Sequence, residues 1–417
     1  MTMLRLTILC IALMCGWSTF LRGAPQALPS QLSLSWQTAT TIPVIASPDA
    51  KAGGRIRTFI TSFPLTLRQV GPDSNQTFRS LLDENDMSLV IRHPNTGLWM
   101  PELATHWAFD PKDPKVVYYR LDPSAQWSDG KPVKGSDFVY MLNFMRSPHI
   151  KAPWYNTYYK ETIDSVTVYE EKPGVEVIAV RLHEASPDPL FNTNLQPIPE
   201  HFYGELDTSF VSTFNWKIAP NTGPYQLAEI HKGKDLIFQK KKNWWAKDRP
   251  YFQNRFNIDE VQVKIVRDIQ TAFEYLKNGE IDVMTLTNPE LWHASADTDA
   301  FQKGYVHRLQ SYNDNPRNDY VLILNQGFPL FKSRDVRQAF HYAMNVERVM
   351  RELMKNDFQR LQGMSQGYGP YTDRSIKART FDLNEANRLL DGAGWTRRNS
   401  EGIRINKEGQ VLRAAIS

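Results

Sequence analysis

One stretch in the first third of the chain leaves the backbone little choice. Val116, Val117, Tyr118, Tyr119, Arg120 and Leu121 read as a strand of β-branched and aromatic residues. Trp127, Ser128, Asp129, Gly130, Lys131 and Pro132 follow, then Ser136 and Asp137 ahead of Phe138, Met141, Leu142 and Met145 at helical spacing. The Asp129-Gly130 pair supplies the positive φ of a hairpin turn, and Pro132 stiffens the next segment without donating to a ladder. Ser136 is the expected N-cap of the helix. Strand, turn, stiff segment and helix in immediate succession predict a mixed α/β protein.

The rest of the chain repeats these signals. Residues 55–60 read as the first strand of the folded body, and Phe78, Leu81 and Leu82 mark a short helix after Gln76. Strands are expected at 163–169, 175–182, 236–238 and 261–265, the last alternating with period two. Asp268 caps a helix with Ile269, Ala272, Phe273 and Leu276 on one face; Gly279 ends it, and a strand is expected at 281–283. Another strand is expected at 320–324. Asp335 and Asn345 are the expected caps of two further helices, and a third covers 382–391 before Gly392 and Gly394.

Length and charge exclude some classes. The 417 residues suffice for two or three domains. The net charge is +4; residues 1–24 hold Arg5 and Arg22 and no acid, so the remainder carries +2. That balance argues against an electrostatic nucleic-acid binder. Arg5 followed by an apolar run over 6–20, too short to span a bilayer, reads as a secretory signal ending near Ala24 or Ala27. Cys10 and Cys15 are the only cysteines, so the exported chain would hold no disulfide. Residues 25–54, rich in Pro, Ser and Thr, read as a loose lead-in. The 11 Trp, 17 Tyr and 21 Phe supply both core and flat surfaces suited to a tolerant ligand pocket.

Three motifs admit a sharper reading. Gly363, Ser365 and Gly367 match a nucleophile elbow and would make the chain a secreted serine hydrolase. The elbow needs an apolar strand before it and a helix after it, and the polar 356–360 and Pro370 supply neither; a loop is expected. Lys240, Lys241 and Lys242 beside Trp244 and Trp245 resemble a single-strand nucleic-acid platform; the favoured reading is a solvated turn with both Trp covering an edge. The nine histidines form no metal motif, and no phosphate-binding loop occurs, so no catalytic residue, metal or cofactor is assigned.

Several motifs in order resemble one family. Trp127-Ser128-Asp129-Gly130, Asn221-Thr222-Gly223-Pro224-Tyr225, Asn243-Trp244-Trp245, Gly279-Glu280-Ile281-Asp282, Asp335-Val336-Arg337 and Gly394-Trp395 follow the pattern of the family 5 extracellular solute-binding proteins, the peptide and nickel receptors of ABC importers. Asn221 stands where the family has Gly, and Lys134 where it has a capping Thr. Phe202 to Glu205 and Trp244 to Lys247 look most like the YejA branch.

The resemblance implies a two-lobed type II (cluster C) periplasmic binding protein with mixed sheets. The expected organisation is a signal peptide at 1–24, the loose segment at 25–54, a first-lobe core from 55–75 and 188–312, a subdomain at 76–187, a hinge at 313–320, and a partial second lobe at 321–417. The family's later strands and the acid that holds a peptide amino terminus would align beyond Ser417. The implied function is capture of oligopeptides or peptide-like compounds and delivery to an inner-membrane permease. That implies no enzyme activity and no nucleic acid, with a monomer in the periplasm. Phe63, Pro64, Arg68 and Asn75 would run beside the cleft, with backbone groups pairing an extended peptide; Arg317 and Tyr320 would face it from the hinge. An intracellular regulator of the same fold is the remaining alternative.

Overall fold

A computed structural model describes residues 25–311 and 321–414. The expected signal at 1–24 and the expected hinge at 313–320, with Arg317 and Tyr320, lie outside them. The chain divides into two units: Met1–Ala272 with Ile281–Val283, and Phe273–Glu280 with Met284–Ser417.

The first unit holds two sheets. β1 (Gln26–Ala27), β5 (Ala104–Phe109), β6 (Val116–Leu121), β7 (Ile163–Lys172) and β8 (Val175–Leu182) form one, in the order β1-β7-β8-β6-β5. β2 (Arg55–Ile60), β9 (Tyr225–His231), β10 (Asp235–Lys240) and β11 (Glu260–Ile265) form the other, in the order β2-β11-β10-β9. A small hairpin pairs β3 (Val90–Arg92) with β4 (Trp99–Pro101). Both large sheets are mixed: β1 runs parallel to β7 and β2 parallel to β11, while the remaining pairs are antiparallel. The larger core buries Tyr119, Phe138, Met141, Ile163 and Ile178 beneath α2 (Gly135–Arg146).

Gly130 has φ +82°, as the turn requires. The α2 start differs from expectation. Lys134 is the N-cap, and the Asp137 carboxylate accepts from Lys134 N at 2.9 Å and from the Trp127 indole at 3.2 Å. Gly135 opens the helix because a side chain there would stand 2.5 Å from Val168. Ser136 is therefore not the cap.

Residues 25–54 are not loose. Leu28, Leu32, Leu34 and Trp36 pack against the first sheet, and Gln37 bridges to Trp107. Arg120 lies over Trp36 at 4.3 Å. Trp244 is likewise no edge cover. It is 6% exposed, in the core beside Phe252 and Phe256. Residues 281–283 form no strand, but Asp282 and Val283 donate backbone N–H groups to Arg57 O.

In the second unit Phe331, Val336 and Trp395 form one small core, and Ala339, Ala386 and Leu389 another. The helices Arg334–Ala343, Val346–Glu352 and Leu383–Gly392 are capped by Ser333, Asn345 and Asp382. Ser333 replaces the expected Asp335, since its hydroxyl reaches Val336 N at 3.4 Å. Val321 to Leu324 form no strand, and Ile323 is 81% exposed. Ser365 lies in a turn with coil before it and a 3-10 turn, Gly369–Tyr371, after it. Its carbonyl accepts from Thr372 at 2.6 Å, and the strand and helix of a nucleophile elbow are absent around it.

Candidate functional site

β2 leads into a shaped loop, residues 61–76, that ends at α1 (Thr77–Asp83). Arg68 is its centre post. The side chain is 3% exposed and donates to Val70 O at 2.7 Å, Pro72 O at 2.8 Å and Asn215 Oδ1 at 3.4 Å. Burial holds its guanidinium below its ordinary pKa. Gln76 closes the loop: its amide accepts from Leu65 N at 3.2 Å and donates to Asp73 O at 2.8 Å. Leu67 N donates to Asn215 O at 2.8 Å, and Gly71 lies so close to the Ile150 carbonyl that no side chain fits. Asp73 tolerates φ +63° at the tip. The loop's shape is thus held by the chain's own hydrogen bonds.

Aromatic pairs flank this loop. At one end half-buried Phe63 stacks on Trp216, ring centroids 6.0 Å apart and 19° from parallel, and Trp216 is 48% exposed. Near the other end lies α3 (Pro153–Thr162), which carries Trp154, Tyr155, Tyr158 and Tyr159 and buries none of its residues. Trp154 and Tyr158 stack at 5.3 Å and 4°, and Trp154 is 67% exposed. Arg79 of α1 donates to the Tyr155 hydroxyl and to Asp83 at 3.0 Å, tying α1 to α3. Exposed aromatic rings offer flat apolar surface on which a ligand can lie.

A cavity of about 160 Å³ opens behind the loop, lined by Gln69, Val70, Arg79, Asp86, Tyr159 and Tyr203 among others. Gln69 Nε2 donates to Asp86 at 2.7 Å and to Asp83 at 3.3 Å. Burial pushes the Asp86 carboxyl up to about 6, and Tyr159 up to about 12. Burial also lowers Lys241, whose field reaches Asp86, to about 7. The site therefore offers flat apolar surface, a rigid main-chain loop and a polar recess.

The expected residues fall into different roles. Phe63 lies on the face; Pro64 is buried beneath it; Asn75 is exposed at the loop's end. Arg68 shapes the loop from inside. The β2 edge is partly occupied at Arg57: its carbonyl accepts from Asp282 N at 2.9 Å, and its own N–H donates to the Asp282 carboxylate at 2.7 Å. An added strand must therefore meet the chain beyond Ile60. The α3 aromatic residues were missed by sequence reasoning, although Pro153 followed by aromatics at i, i+1, i+4 and i+5 is a visible helix pattern. Among the described residues no cluster of three or more His, Cys, Asp or Glu is placed to hold a metal, and no helix is long and apolar enough to cross a membrane.

Comparison with known proteins adds a family match. The family described as bacterial extracellular solute-binding proteins, family 5, middle region, matches residues 99–415. A binding protein of Brucella suis is 27% identical over 336 residues, 77% of this chain and 52% of that one. A YejA protein of Agrobacterium fabrum, described as peptide-binding, is 22% identical over 269 residues, 62% of this chain and 42% of that one. The chain spans about half the length of the relatives it matches. Among solved structures, the oligopeptide-binding protein AppA of Bacillus subtilis, with a nonapeptide, aligns with TM-score 0.65 at 18% identity, covering 87% of this chain and 68% of that one. NikZ of Campylobacter jejuni, with Ni(L-His), aligns with TM-score 0.63 at 19% identity, covering 88% and 67%. The fold is that of the type II periplasmic binding proteins.

Proposed function

The chain belongs to the bacterial extracellular solute-binding proteins of family 5, and on that premise we propose that it captures oligopeptides or peptide-like compounds and hands them to an ABC permease. Members of the family are extracellular or periplasmic binding proteins, not enzymes. The observation that carries the peptide reading is the pre-shaped loop 61–76 between the Phe63–Trp216 pair and the α3 aromatics. The main-chain groups that the loop's internal bonds leave over would pair a peptide backbone, and flat aromatic faces accept varied side chains. The relatives that bind peptides, by name, support this class; Arg317 and Tyr320 would complete the face from the hinge at 313–320.

The same reading has residues 1–24 directing export, the first-lobe core in 55–75 and 188–312, and a monomer at work in the periplasm. N-terminal sequencing of exported protein should begin between Pro25 and Gln31; a retained Met1 in a cytoplasmic pool would overturn the localisation.

Native mass spectrometry of the protein, followed by calorimetry on a peptide series, tests the ligand class. Affinity should change little as side chains vary and fall sharply when the peptide backbone is N-methylated. Binding of a metal chelate such as Ni(L-His), with no peptide bound, would overturn the peptide reading and leave the family intact.

A further inference from the structure

A second groove lies on the first unit, formed by the turn at 127–130 and the segment that follows β10. Its volume is about 420 Å³. None of its lining residues is an acid. Asp129, within the turn, is engaged elsewhere: its carboxylate sits 2.8 Å from His201 Nε2 and 3.9 Å from Lys131.

The lining has three kinds of chemistry. Lys240 and Lys242 supply charge. Neither is ion-paired among the described residues, and Lys242 is exposed. Lys241 is already committed: its ammonium donates to the backbone and side-chain oxygens of Asn221. Gln126, Gln226, Gln239 and Asn243 supply carboxamides, each with donors and an acceptor on one planar group. Trp245 is half-buried, and its indole N–H is spent on Thr222 O at 3.2 Å, so it offers ring surface alone.

Carboxamides that donate and accept at once match vicinal hydroxyls. A ring surface matches the C–H face of a sugar, and unpaired ammonium groups without a competing carboxylate match an anion. We infer that this groove is a binding site for an anionic saccharide, one that carries carboxylate or phosphate. None of the groove's lining residues belongs to the loop 61–76 or to α3, although Trp127 also lines the recess that holds Asp86. Such a site assigns a ligand to Lys240 and Lys242, the two lysines of the basic run whose ammonium groups the fold does not pair among the described residues.

Calorimetry on the whole chain at low ionic strength tests this. The probes are trigalacturonate, glucose 6-phosphate, neutral maltotriose, hexaglutamate and an eight-residue oligothymidylate. Binding of trigalacturonate or glucose 6-phosphate, at least tenfold tighter than maltotriose, supports the site, and the tighter of the two distinguishes carboxylated from phosphorylated sugars. The double variant Lys240→Gln/Lys242→Gln should weaken that binding at least tenfold, and Lys240→Arg/Lys242→Arg should restore most of it. Trp245→Phe, chosen to keep a ring in the fold, should weaken it no more than threefold; the two lysine variants should keep the parent's urea midpoint, and the midpoint of Trp245→Phe reads the loss of its bond to Thr222 O separately. Added salt should weaken binding of the parent more than that of the Gln variant. The inference fails if neither acidic sugar binds, or if the Gln variant binds either as tightly as the parent. Preference for hexaglutamate or oligothymidylate also overturns it, making the groove a protein or nucleic-acid contact.

Discussion

The guanidinium of Arg79 lies over the ring of Tyr155, 5.2 Å from its centroid, and the same arginine donates to the Tyr155 hydroxyl. This contact fixes the spacing between the loop that ends at α1 and the aromatic face of α3. Arg79→Ala should free α3 from α1 and weaken peptide binding about tenfold, while Arg79→Lys should restore little, because a point charge cannot replace the planar fork. Peptide calorimetry beside urea denaturation separates the loss of placement from the loss of stability.

Trp154→Ala removes exposed surface and should leave stability within about 0.5 kcal/mol. Peptide affinity should nonetheless fall, together with that of Phe63→Ala at the other end of the loop. Equal affinity in both variants would mean that the ligand is held elsewhere.

Gly223 belongs to the turn at 221–225. An added methyl group would fall inside the van der Waals radius of the Asn85 backbone carbonyl, which itself accepts from Gly223 N at 2.9 Å. Neither side can retreat without breaking that bond. Gly223→Ala should therefore cost about 1–3 kcal/mol or more, read as a fall in the urea midpoint.

Glu102 is 7% exposed, and burial pushes its carboxyl up to about 8, against a hydrogen bond from Ser88 N at 2.8 Å and the charge of Arg255. The folded state thus holds a proton that the unfolded state releases near pH 4.5. The stabilisation from this group is complete below pH 4.5 and is lost as pH rises toward 8. Over that window it contributes a fall of about 1.4 kcal/mol per pH unit. Glu102→Gln should flatten the decline, with the largest gain over the parent near pH 8. Urea midpoints across pH 5 to 8 check both the sign and the window.

Amide exchange should rank the segments. Val263 of β11 is fully buried within a sheet, whereas Leu353, Met364 and Tyr371 are 65%, 64% and 83% exposed. Protection should be strong across β11 and weak over residues 353–381. Equal protection would place these exposed residues in a cooperative core.

Local chemistry was legible wherever it acts within a few residues. Asp129-Gly130 announced its turn because only Gly takes φ +82° cheaply, and Asn345 and Asp382 announced helix starts because their side chains reach N–H groups two or three residues on. What depends on distant partners was not legible. Lys134 begins α2 because Asp137 also serves the Trp127 indole and Val168 crowds Gly135. Residues 25–54 look polar in sequence, yet Leu28, Leu32, Leu34 and Trp36 are spaced to meet one sheet. The family resemblance pointed to Phe63 beside the end of β2, but its stacking on Trp216, more than 150 residues on, was not legible. The structural duty of Arg68 was not, since its partners include Asn215.

The pairing of β2 sets a clock on biosynthesis. Arg57 meets Asp282 across 225 residues of chain, and β2's ladder partner β11 lies almost as far downstream. A ribosome adding about 5–20 residues per second needs roughly 10–45 s to supply that distance. Throughout that interval the strand is an unsatisfied edge able to pair with any extended chain nearby. Its first encounter is therefore a matter of what shields it during synthesis, and a holdase that recognises 55–60 would act before the rest of the sheet exists.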